Sequence, residues 1–303
     1  METKNVWSPV SERNRRLTFG VDPAIHMGVE IGALNNPIIA PEFGICEYVD
    51  YTDAGNLRKQ HAALPDRVAG IVDVHHVWSG NGSLADIVGS GNRYDFAIAS
   101  HVIEHVPNTL GWFRGIHEVL RAGGTFNLAI PDKRYTFDVN CPVSTIGQLI
   151  EADLLGYSKP SIRQMVDHCV HIAKIEPGDI WKSQIDPKGL APYNGEFALW
   201  IAETQAKQIA QEGQYFDSHC WIYTPLSFLD LIRQAAMLER FDFEIINVLS
   251  TDPDEFEFFV SLRKSTDSLS REALKMRQVA AIDGFKKRIE HQQYRASLAA
   301  GHG

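Results

Sequence analysis

The sequence predicts an α/β protein built on a parallel, doubly wound sheet, and three observations predict it. Short β-type runs alternate with connectors through the first half of the chain. Trp112, Phe113, Ile116, Val119 and Leu120 repeat at helical spacing between two of those runs. Two further runs near the end are joined by a connection too short for a crossover, so they must pair antiparallel.

Taken in order, residues 28–32 (G-V-E-I-G) read as a buried strand running into a turn. Residues 46–51 (C-E-Y-V-D-Y) are a second strand, 70–74 (G-I-V-D-V) a third, 94–100 (Y-D-F-A-I-A-S) a fourth and 125–131 (T-F-N-L-A-I-P) a fifth. The helix before the fifth strand stops at Ala122-Gly123-Gly124, a glycine end signal. Residues 140–218 are aromatic and broken by Pro160, Pro177, Pro187 and Pro192, and read as an insertion covering the sheet edge. Thr224-Pro225 starts a helix, since Thr caps and Pro suits the first helical position; Leu226, Phe228, Leu229, Leu231 and Ile232 supply its apolar face. The antiparallel pair follows at 243–248 and 257–262. Residues 270–298 form an amphipathic helix (Leu274, Met276, Val279, Ile282, Phe285, Ile289) suited to packing on the body or, as a homodimer contact, on a second subunit. The chain thus divides into an N-terminal extension (1–27), a main domain (28–264) and a helical tail (265–303).

Composition narrows the function. A hydrophobic share of 44% and a charged share of 22% are those of a soluble globular protein. The formal net charge of −9 argues against nucleic acid as partner, because phosphate binding draws on clustered Lys and Arg. Cys46, Cys141, Cys169 and Cys220 show no C-x-x-C pair and read as free thiols in a reducing compartment. No run approaches the roughly 18 apolar residues of a membrane helix, and M-E-T-K-N-V-W-S at the start lacks a signal peptide's apolar core. These readings expect a cytoplasmic protein with no membrane partner, in which the sequon Asn81-Gly82-Ser83 is only a turn.

In an open parallel sheet, ligands bind outside the carboxyl ends of the strands. Those ends are Glu30-Ile31-Gly32-Ala33-Leu34, Asp50, Asp73, Ser100-His101 and Pro131-Asp132. A carboxylate after the second strand suits a ribose diol, because it accepts two hydroxyl hydrogen bonds. One after the third could meet an adenine amino group.

The residues V-E-I-G-A-L at 29–34, Y-V-D at 48–50, V-D-V at 72–74, Y-D-F-A-I-A-S-H-V-I-E-H-V at 94–106 and E-V-L-R-A-G-G-T-F at 118–126 carry a resemblance. In order and spacing they resemble the class I S-adenosylmethionine-dependent methyltransferases, over about 28–138 and 222–264. The resemblance implies a Rossmann-like, doubly wound, seven-stranded sheet, mostly parallel with an antiparallel final strand, and a helical insertion over the active-site edge. P-D-K-R-Y-T-F-D at 131–138 resembles a bacterial, type 11-like subgroup met among saccharide and surface-polysaccharide methylation proteins, which points to a small-molecule or saccharide acceptor, methylated on O or N. By position, the family implies that Gly32, Ala33 and Leu34 pass the methionine end of S-adenosylmethionine, with Glu30 anchoring their loop or reaching the cofactor through water. Asp50 would hold the ribose, Asp73 and Val74 the adenine, and Ser100 and His101 would lie beside the sulfonium.

The chain departs from the family at its glycine loop, where Gly32-Ala33-Leu34-Asn35-Asn36-Pro37 stands for G-x-G-x-G. Asn35 or Asn36 is then the residue expected in a left-handed conformation. Pro37 and Pro41 leave the usual first helix stunted or missing. This erosion motivates a second reading, a methyltransferase-like binding or scaffold protein without catalysis. A nicotinamide-dependent oxidoreductase is disfavoured, because G-x-G-x-x-G is absent after the first strand.

Methyl transfer to a hydroxyl needs a base, and His is the side chain suited to it near neutral pH. His101 is the first candidate and His219 the second, while His105 reads as a helix residue bonding backbone. Asp132, Lys133, Arg134 and Tyr135 follow the fifth strand. They either hold a phosphate or carboxylate of the substrate or form a salt-bridged loop anchoring the insertion. H-x-x-E-H at 101–105 matches a zinc-peptidase spacing, but it follows a strand without a gap and Pro107 denies it a sustained helix. His168-Cys169-Val170-His171 and His219-Cys220 fit no standard zinc spacing, so no metal is expected.

Overall fold

A computed structural model describes residues 9, 11–80, 82–182 and 185–300. Asn81 of the sequon and residues 1–8, the stretch expected to hold no signal peptide, lie outside the described residues. The first helix, α1 (Glu12–Leu17), is capped by Ser11 and precedes the sheet. Strands β1 (Met27–Ile31) and β2 (Ile45–Asp50) follow, then helices α2 (Ala54–Gln60) and α3 (Pro65–Gly70). Next come β3 (His76–Val77), α4 (Leu84–Val88), β4 (Tyr94–Ser100), α5 (Thr109–Val119) and β5 (Leu120–Pro131). The insertion carries α6 (Ile146–Leu154), α7 (Ile162–His171), α8 (Asp179–Lys182) and α9 (Ala198–Glu212). The chain closes with α10 (Pro225–Met237), β6 (Phe243–Leu249), β7 (Glu257–Lys264) and α11 (Arg271–Ala300).

Among the described residues seven strands form one sheet in the order β3-β2-β1-β4-β5-β7-β6. Every neighbouring pair is parallel except those made by β7, which runs antiparallel to both β5 and β6. The sheet is therefore mostly parallel with an antiparallel final strand, as expected. Strand alternation explains its two faces. Val29 and Ile31 of β1 point into the larger core with Trp112, Phe113, Phe126 and Phe228, roofed by α5 and α10. Gly28 and Glu30 point the other way, where Leu17, Ile38, Ile39, Tyr48 and Phe96 pack. Gly28 is glycine for a steric reason, since a Cβ there would lie 2.0 Å from the Phe96 ring.

Three expectations need correction. The third strand is not at 70–74: α3 runs through Gly70, Val72 N–H donates to Leu34 O at 2.9 Å, and pairing with β2 begins only at His76. Ile71 and Val72 are apolar because they pack over the β1–β2 connection, a demand that periodicity cannot tell from a strand. The helix before the fifth strand ends at Val119, three residues before its glycine signal begins, because Leu120 is already extended and paired with Tyr94. The left-handed residue after Gly32 is Leu34, with φ 47°, not Asn35 or Asn36.

No helix forms between β1 and β2. Glu30 takes its place as the organiser, accepting from Ile38 N–H at 2.8 Å and Ile39 N–H at 3.2 Å, while the Tyr48 hydroxyl donates to Ile39 O at 2.6 Å. Thr224 caps α10 by accepting from Ser227 N–H, with Pro225 at the first position. Helix α11 packs on its own chain through Ile282 and Ile289, and Gln278 donates to Phe241 O and Phe243 O. In the insertion, α6 joins the main core through Leu149 and Ala152, whereas α7 and α9 pair with each other around Met165, Cys169 and Ala202. All four cysteines are free and buried, and no described helix is long and apolar enough to cross a membrane.

Candidate active site

The carboxyl ends of β1, β2, β3 and β4 open onto a cleft with two connected parts. The larger, about 580 Å³, is bounded by Leu34, His61, Arg67, His101 and Asp217; the smaller, about 210 Å³, by Trp78, Gly80, Pro107 and Lys159. Gly32, Asp50, Tyr51, Val102, His105 and Tyr215 line both. The combined space suits a ligand of nucleoside size. Tyr215 and Asp217 come from the end of the insertion, and Tyr215 stacks on Tyr51 at 5.7 Å between ring centroids.

Gly32 ends β1 with φ 69°, and a Cβ there would sit 2.6 Å from Val102 Cγ2, so the close passage of this loop to the β4 turn requires glycine. Ala33 turns away into the core with Ile38 and Ile39 and does not line the larger cleft. Glu30 is 2% exposed, and burial raises its pKa to about 7 against the pull of the two N–H donors. It acts on the loop from behind. Asp50 projects from the end of β2 and is 8% exposed. Among the described residues its carboxylate accepts from Tyr51 N–H alone, at 2.8 Å, and burial raises its pKa to about 6. A buried carboxylate with spare acceptor capacity on a cleft wall is ready for hydroxyl donors.

The structure does not bring Asp73 and Val74 to this cleft. Asp73 is exposed, and its side chain meets Arg58 at 3.2 Å. Val74 lies in a small pocket with Val72 and Leu57. Because β3 starts at His76, the segment that leaves its carboxyl end is Trp78-Ser79-Gly80, and these residues line the smaller cleft. Sequence reasoning missed them because the apolar 71–74 run offered a strand a few residues too early.

Ser100 accepts from Arg13 of α1 at 2.6 Å, and Arg13 also grips Glu257 at 2.6 and 2.9 Å. His101, left-handed at φ 54°, places Nε2 2.7 Å from Glu257 and Nδ1 3.5 Å from Glu104. Burial alone would lower its pKa, but the two carboxylates outweigh this and raise it to about 9. With both ring nitrogens facing carboxylates the protonated form is favoured, and neither nitrogen is left free to act as the expected base.

His105, read from sequence as a helical residue, instead sits in a turn and lines both parts of the cleft, with Nδ1 2.8 Å from Asp217. His219 stands behind it, ring centroids 4.8 Å apart, with Nδ1 2.6 Å from Asp138. It borders a separate, small pocket with His168 and Cys220, and touches the main cleft only through His105.

The four residues after β5 take the anchoring role, not the substrate role. Asp132 is fully buried and accepts from Arg134 at 2.6 Å and from the Thr251 hydroxyl at 2.7 Å. Lys133 donates to Val139 O at 2.7 Å, and Tyr135 stacks on Trp181 at 4.2 Å. None of the four lines the cleft. The residues that do line it fit a nucleoside-type cofactor: an indole and a glycine backbone at one end, a carboxylate with free acceptors in the middle, a glycine passage beyond.

Residues 18–246 match the model of a family described as "Methyltransferase domain". No curated protein matches the chain. Among solved structures the chain is similar to an S-adenosylmethionine-dependent methyltransferase, possible histamine N-methyltransferase, from Thermotoga maritima (14% identity, 84% of this chain and 89% of that one, TM-score 0.37). It is also similar to one from Mesorhizobium loti (17%, 80% and 92%, TM-score 0.39). A third is the 1,6-didemethyltoxoflavin-N1-methyltransferase of Burkholderia thailandensis (11%, 83% and 76%, TM-score 0.40). At these scores none of the three informs the acceptor of this chain.

Proposed function

The chain belongs to the methyltransferase-domain family and is an S-adenosylmethionine-dependent methyltransferase, and from that premise we propose that it O-methylates a small, hydroxyl-bearing acceptor of the saccharide type. The observation that carries this reading is the cleft whose far wall is polar, with His101, His105, Asp217 and Tyr215 facing the space beyond Gly32 and Leu34. S-adenosylmethionine supplies an electrophilic methyl group on a sulfonium, and the chain's part is to bind, orient and exclude water. Asp50 would accept from the ribose hydroxyls, and Trp78 to Gly80 would flank the adenine. Gly32 and Leu34 would border the methionine end. His105, Tyr215 and Asp217 would hydrogen-bond an acceptor hydroxyl, which supports the reading of O-methylation. The size of the cleft and the net charge of −9 speak for a small acceptor and against nucleic acid.

The test is to purify the chain and identify what it carries by mass spectrometry, then to incubate it with methyl-labelled S-adenosylmethionine and a panel of saccharides and matched amines. Labelled methyl ethers are expected. Label on the amines alone would overturn the O-methylation reading, and transfer to none of them would overturn the acceptor class.

A further inference from the structure

Behind His105 lies a polar cluster that the cofactor cleft does not use. A carboxylate oxygen of Glu104 and ring nitrogens of His105 and His219 all fall within 4.8 Å of one another. The two imidazoles are prepared alike. Asp217 takes Nδ1 of His105 at 2.8 Å, and Asp138 takes Nδ1 of His219 at 2.6 Å. A carboxylate on Nδ1 holds a ring proton there and leaves Nε2 as the nitrogen that a metal ion takes, displacing any proton on it. His105 Nε2 is 3.9 Å from Glu104 Oε1. Glu104 itself is 1% exposed, yet among the described residues its Oε2 has no hydrogen-bond partner. An unsatisfied buried carboxylate oxygen is costly and calls for a cation.

We propose that Glu104, His105 and His219 bind a divalent first-row metal ion, with Asp138 and Asp217 holding the two imidazoles in the ligand tautomer. Two imidazoles and one carboxylate favour Zn²⁺, Co²⁺, Fe²⁺ or Mn²⁺ over Mg²⁺ and Ca²⁺, which take oxygen-rich sets. Ligand atoms on bonds of about 2.1 Å stand about 3.4 Å apart in a tetrahedral site, so the set closes by up to about 1.4 Å on binding. Side-chain rotation covers that distance while the backbone stays fixed. Cys220 N–H and Trp221 N–H both donate to Glu104 O, at 2.6 and 3.2 Å, and the Trp221 indole donates to Val106 O at 2.5 Å. These bonds lock the His219 segment to the turn that carries Glu104 and His105.

His105 lines the cleft, and an ion shared by its Nε2 and the buried Glu104 would lie behind that wall. There it would fix the orientation in which His105 meets the acceptor. The role rests on the methyl-transfer reading; the site does not.

The full chain, stripped with a chelator, is titrated with Co²⁺ followed by visible absorption and with Zn²⁺ followed by calorimetry. S-adenosylhomocysteine binding is measured separately on the stripped protein. We expect one saturable ion per chain, lost in His219→Ala and weakened about 10–100-fold in Asp138→Asn, a shape-preserving change that leaves all three ligands in place. Circular dichroism confirms that each variant is folded. Absence of saturable binding by the folded wild type, or binding unchanged in both variants, overturns the site. Failure to bind S-adenosylhomocysteine while the ion still binds removes the methyl-transfer role and leaves the site standing.

Discussion

Replacing Asp50 by asparagine should stabilise the empty protein and weaken the cofactor complex, and the two effects have one cause. In the folded chain, burial raises the Asp50 carboxyl from 3.8 to about 6, while the unfolded chain titrates it at the ordinary value. A raised folded pKa means stability that is fully present below about pH 4 and is lost as pH rises through about 6. At neutral pH the wild type therefore carries a penalty of about 2–3 kcal/mol for holding this charge out of water. Asparagine keeps the acceptor for Tyr51 N–H and removes the charge. With an unfolding entropy of about 2.1 cal/mol/K per residue, 2–3 kcal/mol in a chain of 303 residues is a rise of about 3–5 °C in Tm. The same substitution removes charge-assisted bonds to a ribose diol, worth about 1.5–3 kcal/mol, or a loss of about 10–100-fold in affinity. Differential scanning fluorimetry with and without S-adenosylhomocysteine, together with calorimetric titration, reads both. The Asp50→Asn variant should melt higher alone at neutral pH, lose that advantage below about pH 4, and gain less from the ligand. A lower Tm for the empty variant, or an unchanged affinity, would refute the placement of Asp50 as a strained carboxylate ready for hydroxyl donors.

Three further outcomes follow from the same geometry. Glu257→Gln takes from His101 the closer of its two carboxylates and from Arg13 its partner; with the imidazole 31% exposed, water screens part of the gain, so the loss at neutral pH is about 2 kcal/mol. Since the raised folded pKa of about 9 contributes stability below about pH 6.5 that fades as pH rises through 9, the wild-type advantage in urea unfolding should shrink across that window; a constant difference would count against an imidazolium. Glu30→Ala orphans the Ile38 and Ile39 N–H groups and should cost about 2–4 kcal/mol, with faster amide hydrogen exchange at 32–39 but not in β4. Gly32→Ala puts a methyl 2.6 Å from Val102 and a side chain at φ 69°, costing about 1–3 kcal/mol and lowering affinity for S-adenosylhomocysteine in calorimetry.

Strands whose side chains alternate between two cores were legible residue by residue, as β4 at Tyr94–Ser100 shows, because burial and periodicity ask for the same residues there. Legibility failed where an apolar run serves something other than the sheet. Ile71 and Val72 are hydrophobic for the β1–β2 connection, and that one change of purpose moved the expected end of β3 to Asp73–Val74, where the structure has Trp78–Gly80. Side-chain roles failed for a different reason. Lys133, Arg134 and Tyr135 follow a strand end as site residues do, but Asp132 behind them is fully buried, and a buried carboxylate captures the nearest guanidinium before any substrate arrives.

The histidines show how far spacing can mislead in both directions. H-x-x-E-H at 101–105 does not form a helix, so the peptidase geometry that its spacing calls for is absent, and His101 is drawn off to Glu257 at the start of β7. Yet Glu104 and His105 of the same five letters remain, and the third member of their set arrives from the segment before α10. Each imidazole owes its orientation to a carboxylate from a different loop, Asp217 from the end of the insertion and Asp138 from the stretch between β5 and the insertion. A set assembled this way leaves no local signature, since no two of its segments are fixed in relative position until the sheet and the insertion have packed. The departure at the glycine loop and the recruitment of the insertion are then connected. A chain without the helix after β1 holds its cofactor loop through Glu30 instead, and it closes the other side of the cleft with Tyr215 and Asp217 from the insertion. The polar wall that we assign to the acceptor is thus built in good part by the stretch of sequence that the sheet pattern does not explain.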